Sequence, residues 1–143
     1  MNTQELQKLL QRHLPIHTGV FAADQLPKIY PKPAAFVFNN QPSTHKGEHW
    51  IAVYVNLNGH VEYFDSYGLP PPNTFKNFFM HTKKWTFNDK VLQSPFSDVC
   101  GEHCISFLIH RYNGVSMKNY VKRFNHDLIN NDRRVSSFIR FYR

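Results

Sequence analysis

The stretch from His49 to Asp65 restricts the fold more than any other part of the chain. His49-Trp50-Ile51-Ala52-Val53-Tyr54-Val55 alternates, Asn58-Gly59 turns, and Val61-Glu62-Tyr63-Phe64-Asp65 returns, which predicts a β-hairpin. Turn length sets its register. A two-residue turn at Asn58-Gly59 pairs Ala52 with Asp65 and puts His49 and Asp65 on opposite faces. A three-residue turn, Leu57-Asn58-Gly59 with Gly59 in the left-handed bulge position, pairs Ile51 with Asp65 instead. Then His49, Ile51, Val53, Val55, Val61, Tyr63 and Asp65 share a face that is apolar except at the end holding His49 and Asp65. A one-residue slip would turn every side chain over, so this second register is the expected one. It makes an imidazole and a carboxylate diagonal neighbours.

Around the hairpin the pattern predicts helices on both sides. Residues 3–13 read as an amphipathic helix with Thr3 as cap and Leu6, Leu9 and Leu10 inward, ended by Pro15. Residues 18–33 are punctuated by Gly and Pro and read as an ordered loop. Ala34 to Asn39 is a short apolar strand, and 41–48 a polar loop. Asn73 to Lys84 reads as a short helix packing Phe75, Phe78 and Phe79. Brief extended pieces follow at Trp85–Phe87 and Lys90–Gln93. Ser116 should cap a helix carrying Met117, Tyr120, Val121, Phe124 and Leu128, and Asp132 a last one carrying Val135, Phe138, Ile139 and Tyr142. Helix, small mostly antiparallel sheet, then helices: the expected class is α+β, in one domain spanning residues 1–143.

Gln93-Ser94-Pro95-Phe96-Ser97-Asp98-Val99-Cys100 reads as a loop delivering Cys100 to the first turn of a buried helix, with Ser97 or Asp98 as cap. Cys104, Ile105, Phe107, Leu108 and Ile109 make that helix apolar on most sides, and Gly114 is its stop. A thiol at a helix N-terminus faces the positive end of the dipole, which favours thiolate.

Two cysteines four apart on one helix suggest neither a disulfide scaffold nor secretion, and no apolar run approaches a membrane span. A soluble monomer is expected, in the cytoplasm or nucleus of a host cell or inside a particle assembled there. Residues 1–110 hold nine Lys/Arg against eight Asp/Glu, whereas eight against two follow from Arg111 on, so six of the seven net positive charges lie in the last quarter of the chain. Lys118, Lys122, Arg123, Arg133, Arg134 and Arg140 are a solvated basic face or a sequence-independent nucleic-acid contact through phosphates. No base-reading motif accompanies them.

Cysteine proteolysis requires a thiolate, a base, a group that orients the base, and donors for the oxyanion. Cys100, His49, Asp65 and Gln93 supply these types. Singly each has an ordinary reading: a buried core thiol, one of nine histidines, an Asp in a turn, a loop amide. Together, Gly47-Glu48-His49-Trp50, Phe64-Asp65-Ser66-Tyr67-Gly68 and the seven-residue step from Gln93 to Cys100-Gly101 resemble the adenovirus maturation protease (adenain) family, and within it the enzymes of virophages and virus-like DNA transposons. The resemblance covers roughly residues 1–115.

It implies a papain-like, adenain-like fold with Cys100 as nucleophile, His49 as base, Asp65 as its orienting partner, and Gln93 with the Cys100 backbone N–H as oxyanion donors. Trp50, Gly47 and Glu48 would lie beside the substrate groove, Trp50 within cation–π reach of the imidazolium. Substrates would be virion precursor proteins cut after small residues, often Gly. No cofactor or metal is implied, and DNA stimulation is consistent with the basic C-terminal third. The segment 66–92 is shorter than in adenain and lacks cysteine, so activation by a disulfide-tethered peptide is not expected, and Cys104 is a core residue. Alternative readings are an isopeptidase for ubiquitin-like modifiers, a basic DNA-binding module with a relict site, and a metal site at Cys100, His103 and Cys104.

Overall fold

A computed structural model describes residues 1–40, 49–80, 82 and 84–143. Helix α1 (Thr3–His13) leads into β1 (His17–Phe21), β2 (Ala34–Asn39), β3 (Trp50–Val55) and β4 (Val61–Phe64). A 3₁₀ turn (Asn73–Phe75), α2 (Lys76–Met80) and β5 (Trp85–Phe87) follow, then α3 (Cys100–Tyr112), α4 (Met117–Val121) and α5 (Leu128–Arg140). The strands form one sheet in the order β1-β2-β3-β4-β5. Its centre, β2 to β4, is antiparallel, while β1 and β5 join the edges in parallel.

The β3–β4 hairpin takes the expected register. Val53 opposes Tyr63 and Val55 opposes Val61, so the next pair outward from Ala52 and Phe64 is Ile51 and Asp65. Asn56 and His60 close a three-residue loop, the Asn56 N–H donating to the His60 carbonyl at 3.0 Å. Gly59 supplies the left-handed residue, with φ +81°. The Asn56 side chain accepts from the N–H groups of Asn58 and His60, fixing the turn from within.

Both faces of the sheet are buried. Ile51, Val53, Val55, Val61 and Tyr63 pack with Phe36, Phe38, Phe75, Phe78 and Phe79 on one side. On the other, Ala35, Val37, Ala52 and Phe64 meet Leu6, Leu9 and Leu10 of α1 and Ile105, Phe107 and Leu108 of α3. Phe64 and Phe107 stack with centroids 4.4 Å apart and planes 5° apart, and Tyr120 sits edge-on to both. Each such ring contributes on the order of 1.5–3 kcal/mol by leaving water. Phe64 is the residue before Asp65, so this packing fixes where the carboxylate emerges. Helix α3 ends in a paired 6→1 and 5→2 closure, Val115 N–H to the His110 carbonyl and Gly114 N–H to the Arg111 carbonyl, with Gly114 at φ +88°.

Several expectations are corrected. Asn2, not Thr3, caps α1, its side chain accepting from the Glu5 N–H at 2.9 Å. The segment expected to be loop from residue 18 contains β1, an edge strand paired with β2. The Ser116-capped helix stops at Val121, short of Phe124 and Leu128, and the chain leaves it through tight i→i−3 bonds, the Arg123 N–H to the Tyr120 carbonyl and the Phe124 N–H to the Val121 carbonyl. The last helix starts earlier, with Asp127 as its cap and Asp132 inside it. Lys90–Gln93 joins no strand; Leu92 and Gln93 both donate their N–H groups to the Ser66 carbonyl. Among the described residues, no helix is long and apolar enough to cross a membrane.

Candidate active site

At one end of the sheet the hairpin delivers two side chains together. His49 sits one residue before β3, its carbonyl held by the Asn40 N–H at 3.0 Å, and Asp65 one residue after β4. Nε2 of His49 lies 2.7 Å from Oδ1 of Asp65, and both residues are buried. The Asp65 backbone is clamped by Asn88, which accepts from its N–H at 2.9 Å and donates to its carbonyl at 2.6 Å. Asp65 Oδ1 also accepts the Tyr67 N–H at 2.8 Å. The carboxylate therefore has little freedom to turn away from the imidazole.

Cys100 is the first residue of α3 and is 8% exposed. The Trp50 N–H donates to its Sγ at 3.5 Å, which ties the sulfur to the start of β3. Cys100 lies close enough to His49 to raise the imidazole pKa, and with Nε2 engaged by Asp65 the nitrogen left to face the sulfur is Nδ1. Burial works against the imidazolium, but the bond to Asp65 and the nearness of Cys100, with their negative charges, outweigh it and hold the His49 pKa at about 9. At neutral pH this site favours a positively charged imidazole wedged between a carboxylate and a sulfur.

Neither Ser97 nor Asp98 caps α3. The N-cap is Val99, which offers no side-chain acceptor, and the His103 N–H reaches the Val99 carbonyl at 3.0 Å. Leaving the first turn without a side-chain cap keeps its N–H groups available to an anionic ligand. Ser97 bonds instead to Gln93: the Gln93 Nε2 donates to the Ser97 carbonyl at 3.2 Å and hydroxyl at 3.1 Å, while Ser66 Oγ donates to Gln93 Oε1 at 2.5 Å. Gln93 is fully buried, so its amide is locked in orientation by two serines.

Trp50 lies beside the cysteine through its backbone, but its indole points to the chain start, Nε1 donating to the Met1 carbonyl at 3.1 Å. The ring stacked on His49 is Tyr67, with centroids 4.6 Å apart and planes 24° apart. Gly47 and Glu48 lie outside the described residues. Cys104 is fully buried, and burial pushes its thiol well up, with the Cys100 charge adding to the effect. His103, two residues along α3 from Gly101, turns its Nε2 to Asp132 Oδ1 at 2.9 Å. Among the described residues no cluster of three His, Cys, Asp or Glu could hold a metal. Lys118, Lys122, Arg123, Arg133, Arg134 and Arg140 are all exposed. Tyr67, Asn88 and the His103–Asp132 pair were not identified from the sequence, because each depends on a contact between distant segments.

No family model matches the chain. It is 29% identical over 98 residues to a protein of Acanthamoeba polyphaga mimivirus named as a thiol protease, covering 61% of this chain and 32% of that one. It is 26% identical over 98 residues to the SUMO-1 cysteine protease of African swine fever virus, covering 59% of this chain and 36% of the relative. The chain thus spans about a third of the length of the curated relatives it matches. The crystal structure of the African swine fever virus protease superposes with a TM-score of 0.65 at 18% identity, over 93% of this chain and 63% of that one. The Chlamydia trachomatis effector Cdu1, solved bound to ubiquitin, gives 0.53 at 19% identity, over 66% of this chain and 46% of that one. The fold is that of adenain-like cysteine proteases.

Proposed function

We propose that this chain is a cysteine endopeptidase domain in which Cys100 is the nucleophile, His49 the base and then the acid, and Asp65 the group that orients His49. The observation that carries the reading is the buried His49 imidazole held between the Asp65 carboxylate and a sulfur at the head of a helix. The protease names of distantly similar viral proteins support it.

Cysteine Sγ, as thiolate, attacks the scissile carbonyl carbon while the imidazolium gives its Nδ1 proton to the departing amine. Water then attacks the thioester carbon, His49 takes its proton, and collapse of the second intermediate breaks the C–S bond, releasing the acid product and restoring the thiolate–imidazolium pair. The negative oxygen of each tetrahedral intermediate is met by the Cys100 backbone N–H and by the Gln93 amide. For Gln93 this requires one Nε2 proton to pass from Ser97 to the oxyanion.

In this reading the substrates are virion precursor proteins cut after small residues such as Gly, and the whole domain acts as a monomer without a cofactor. The exposed basic residues of α4, α5 and the turn between them, Lys118, Lys122, Arg123, Arg133, Arg134 and Arg140, offer phosphate contacts through which DNA would stimulate cleavage. A second reading is an isopeptidase for a ubiquitin-like modifier, favoured by the SUMO-1 name of one relative and by the ubiquitin bound to the Chlamydia protein.

The test offers an internal Gly-x-Gly peptide and a modifier conjugate, with and without DNA, to the protein and to Cys100→Ala and His49→Ala. Cleavage of the peptide, abolished in both variants, is the expected result. Preference for the conjugate selects the isopeptidase, and activity retained by either variant removes the catalytic assignment.

A further inference from the structure

The loop that carries Gln93 is held from behind by two adjacent residues of α5. Asn131 is fully buried, and its Nδ2 donates to the Leu92 carbonyl at 3.1 Å. Asp132 is 8% exposed, and its Oδ2 accepts the Ser94 N–H at 3.2 Å. These two contacts take hold of the peptide groups on either side of the Gln93 Cα. With both planes fixed, the direction in which the Gln93 side chain leaves the backbone is fixed as well.

Asp132 has a second task. Its other oxygen, Oδ1, meets Nε2 of His103, which is fully buried in the first turn of the helix begun by Cys100. A single carboxylate thus bridges the loop that bears Gln93 and the helix that bears Cys100. The same loop is tied down at its start, where Lys90 Nζ donates to the Phe124 carbonyl at 2.7 Å. Asn131 in turn accepts the Asn125 N–H at 3.4 Å and donates to the Asn125 carbonyl at 2.9 Å, so the turn before α5 and the active-site loop share one set of polar contacts.

We propose that Asp132, seconded by Asn131, is a positioning residue that sets the Gln93 amide against the Cys100 helix, giving α5 a part in turnover. The inference rests on the protease reading and deepens it: Asp132 touches no substrate and acts through Gln93. Packing of α5 against α3 through Val135 and Ile139 supplies the stability of the helix, so the polar residues at its start are free for this narrower task.

The test is a double-mutant cycle on the full chain, with peptide cleavage, the rate of Cys100 alkylation by iodoacetamide and thermal unfolding as readouts. Alkylation needs the thiolate and His49 but no oxyanion donor. Asp132→Ala is expected to lower kcat by about 10-fold or more with KM and alkylation within about threefold of the parent, since removing one oxyanion donor outright costs about 10²–10³. Asp132→Ala combined with Gln93→Ala should be no slower than Gln93→Ala alone. The isosteric Asp132→Asn keeps one accepting oxygen and should fall between parent and Asp132→Ala. Should Asp132→Ala fail to fold, Asp132→Asn and its pairing with Gln93→Ala decide by the same readouts. Multiplying losses in the cycle, an unchanged kcat, or equal losses of turnover and alkylation would overturn the proposal. Gln93→Ala with full turnover would overturn it together with the oxyanion role, whereas cleavage by Cys100→Ala removes the protease reading itself.

Discussion

Tyr67 grips both members of the His49–Asp65 pair. Its ring lies over the imidazole, 4.6 Å away and tilted 24°, while its backbone N–H donates to the carboxylate oxygen that meets His49 Nε2. The ring keeps water from one face of that hydrogen bond, and a drier bond holds its geometry better.

The ring and the peptide of Tyr67 can be separated by substitution. Tyr67→Phe keeps the stack and should cleave peptide within about twofold of the parent, whereas Tyr67→Ala bares the imidazole and should lose on the order of 10-fold or more through misplacement of the base. Steady-state kinetics on both variants checks this. Equal losses would assign the role to the phenol, not to the stack.

The His49 pKa of about 9 sets the alkaline limit of the proposed reaction. The active form pairs thiolate with imidazolium, so kcat/KM should fall as pH rises through about 9, when His49 loses its proton. The same sign applies to stability. His49 binds its proton more tightly folded than unfolded, so its contribution is complete below the unfolded value of 6.5 and is lost as pH rises through about 9. Burial is the opposing influence and Asp65 the first of those that raise the value. Asp65→Asn should therefore shift the alkaline limb toward neutral pH and lower kcat by about 10²–10⁴. A pH–rate profile with an unmoved limb would show that Asp65 does not govern the imidazole.

The two thiols should separate cleanly in reactivity. Cys104 is sealed in the core with its thiol pushed well up by burial, while Cys100 touches solvent and His49. Iodoacetamide followed by peptide mass spectrometry should find Cys100 carrying most of the label before Cys104 reacts in the folded protein. Comparable labelling of both would mean that α3 opens readily, contrary to its burial on nearly every side.

What was legible in the sequence follows from how far apart the determinants lie. The hairpin register was readable because period-two alternation and Asn58-Gly59 are local signals, and they sufficed to bring His49 and Asp65 to one end. The fold class and the helix headed by Cys100 were readable for the same reason. β1 was hidden because an edge strand with Gly19 at its centre, in which the Phe21 ring folds over the glycine, has neither alternation nor a continuous apolar run. The start of α5 was misjudged because Asp127 and Asp132 are equally good caps on paper. The choice was made by His103 and the Ser94 N–H, which draw Asp132 into the interior. Asn88 and the ring of Tyr67 act across folded segments, and no local pattern announces such contacts.

Two glycines with positive φ offer a final contrast between fold and site. Gly68, at φ +72°, closes the turn after Asp65 with its N–H on the Asp65 carbonyl at 2.8 Å. A Cβ there would lie 2.7 Å from the Lys90 carbonyl carbon, 2.9 Å from its oxygen and 3.0 Å from the Val91 nitrogen, all backbone atoms. Gly68→Ala must therefore push the 90–93 segment away from the turn that carries Tyr67, costing about 2 kcal/mol or more and disturbing the His49 stack and the Gln93 loop together. Gly114, at φ +88°, ends α3 with nothing within 4 Å of an added Cβ. Gly114→Ala bears only the left-handed penalty of about 1–2 kcal/mol. Both variants should melt earlier than the parent. Only Gly68→Ala should also lose turnover beyond what its unfolded fraction explains, and equal specific activity of the two folded proteins would refute the coupling of this turn to the site.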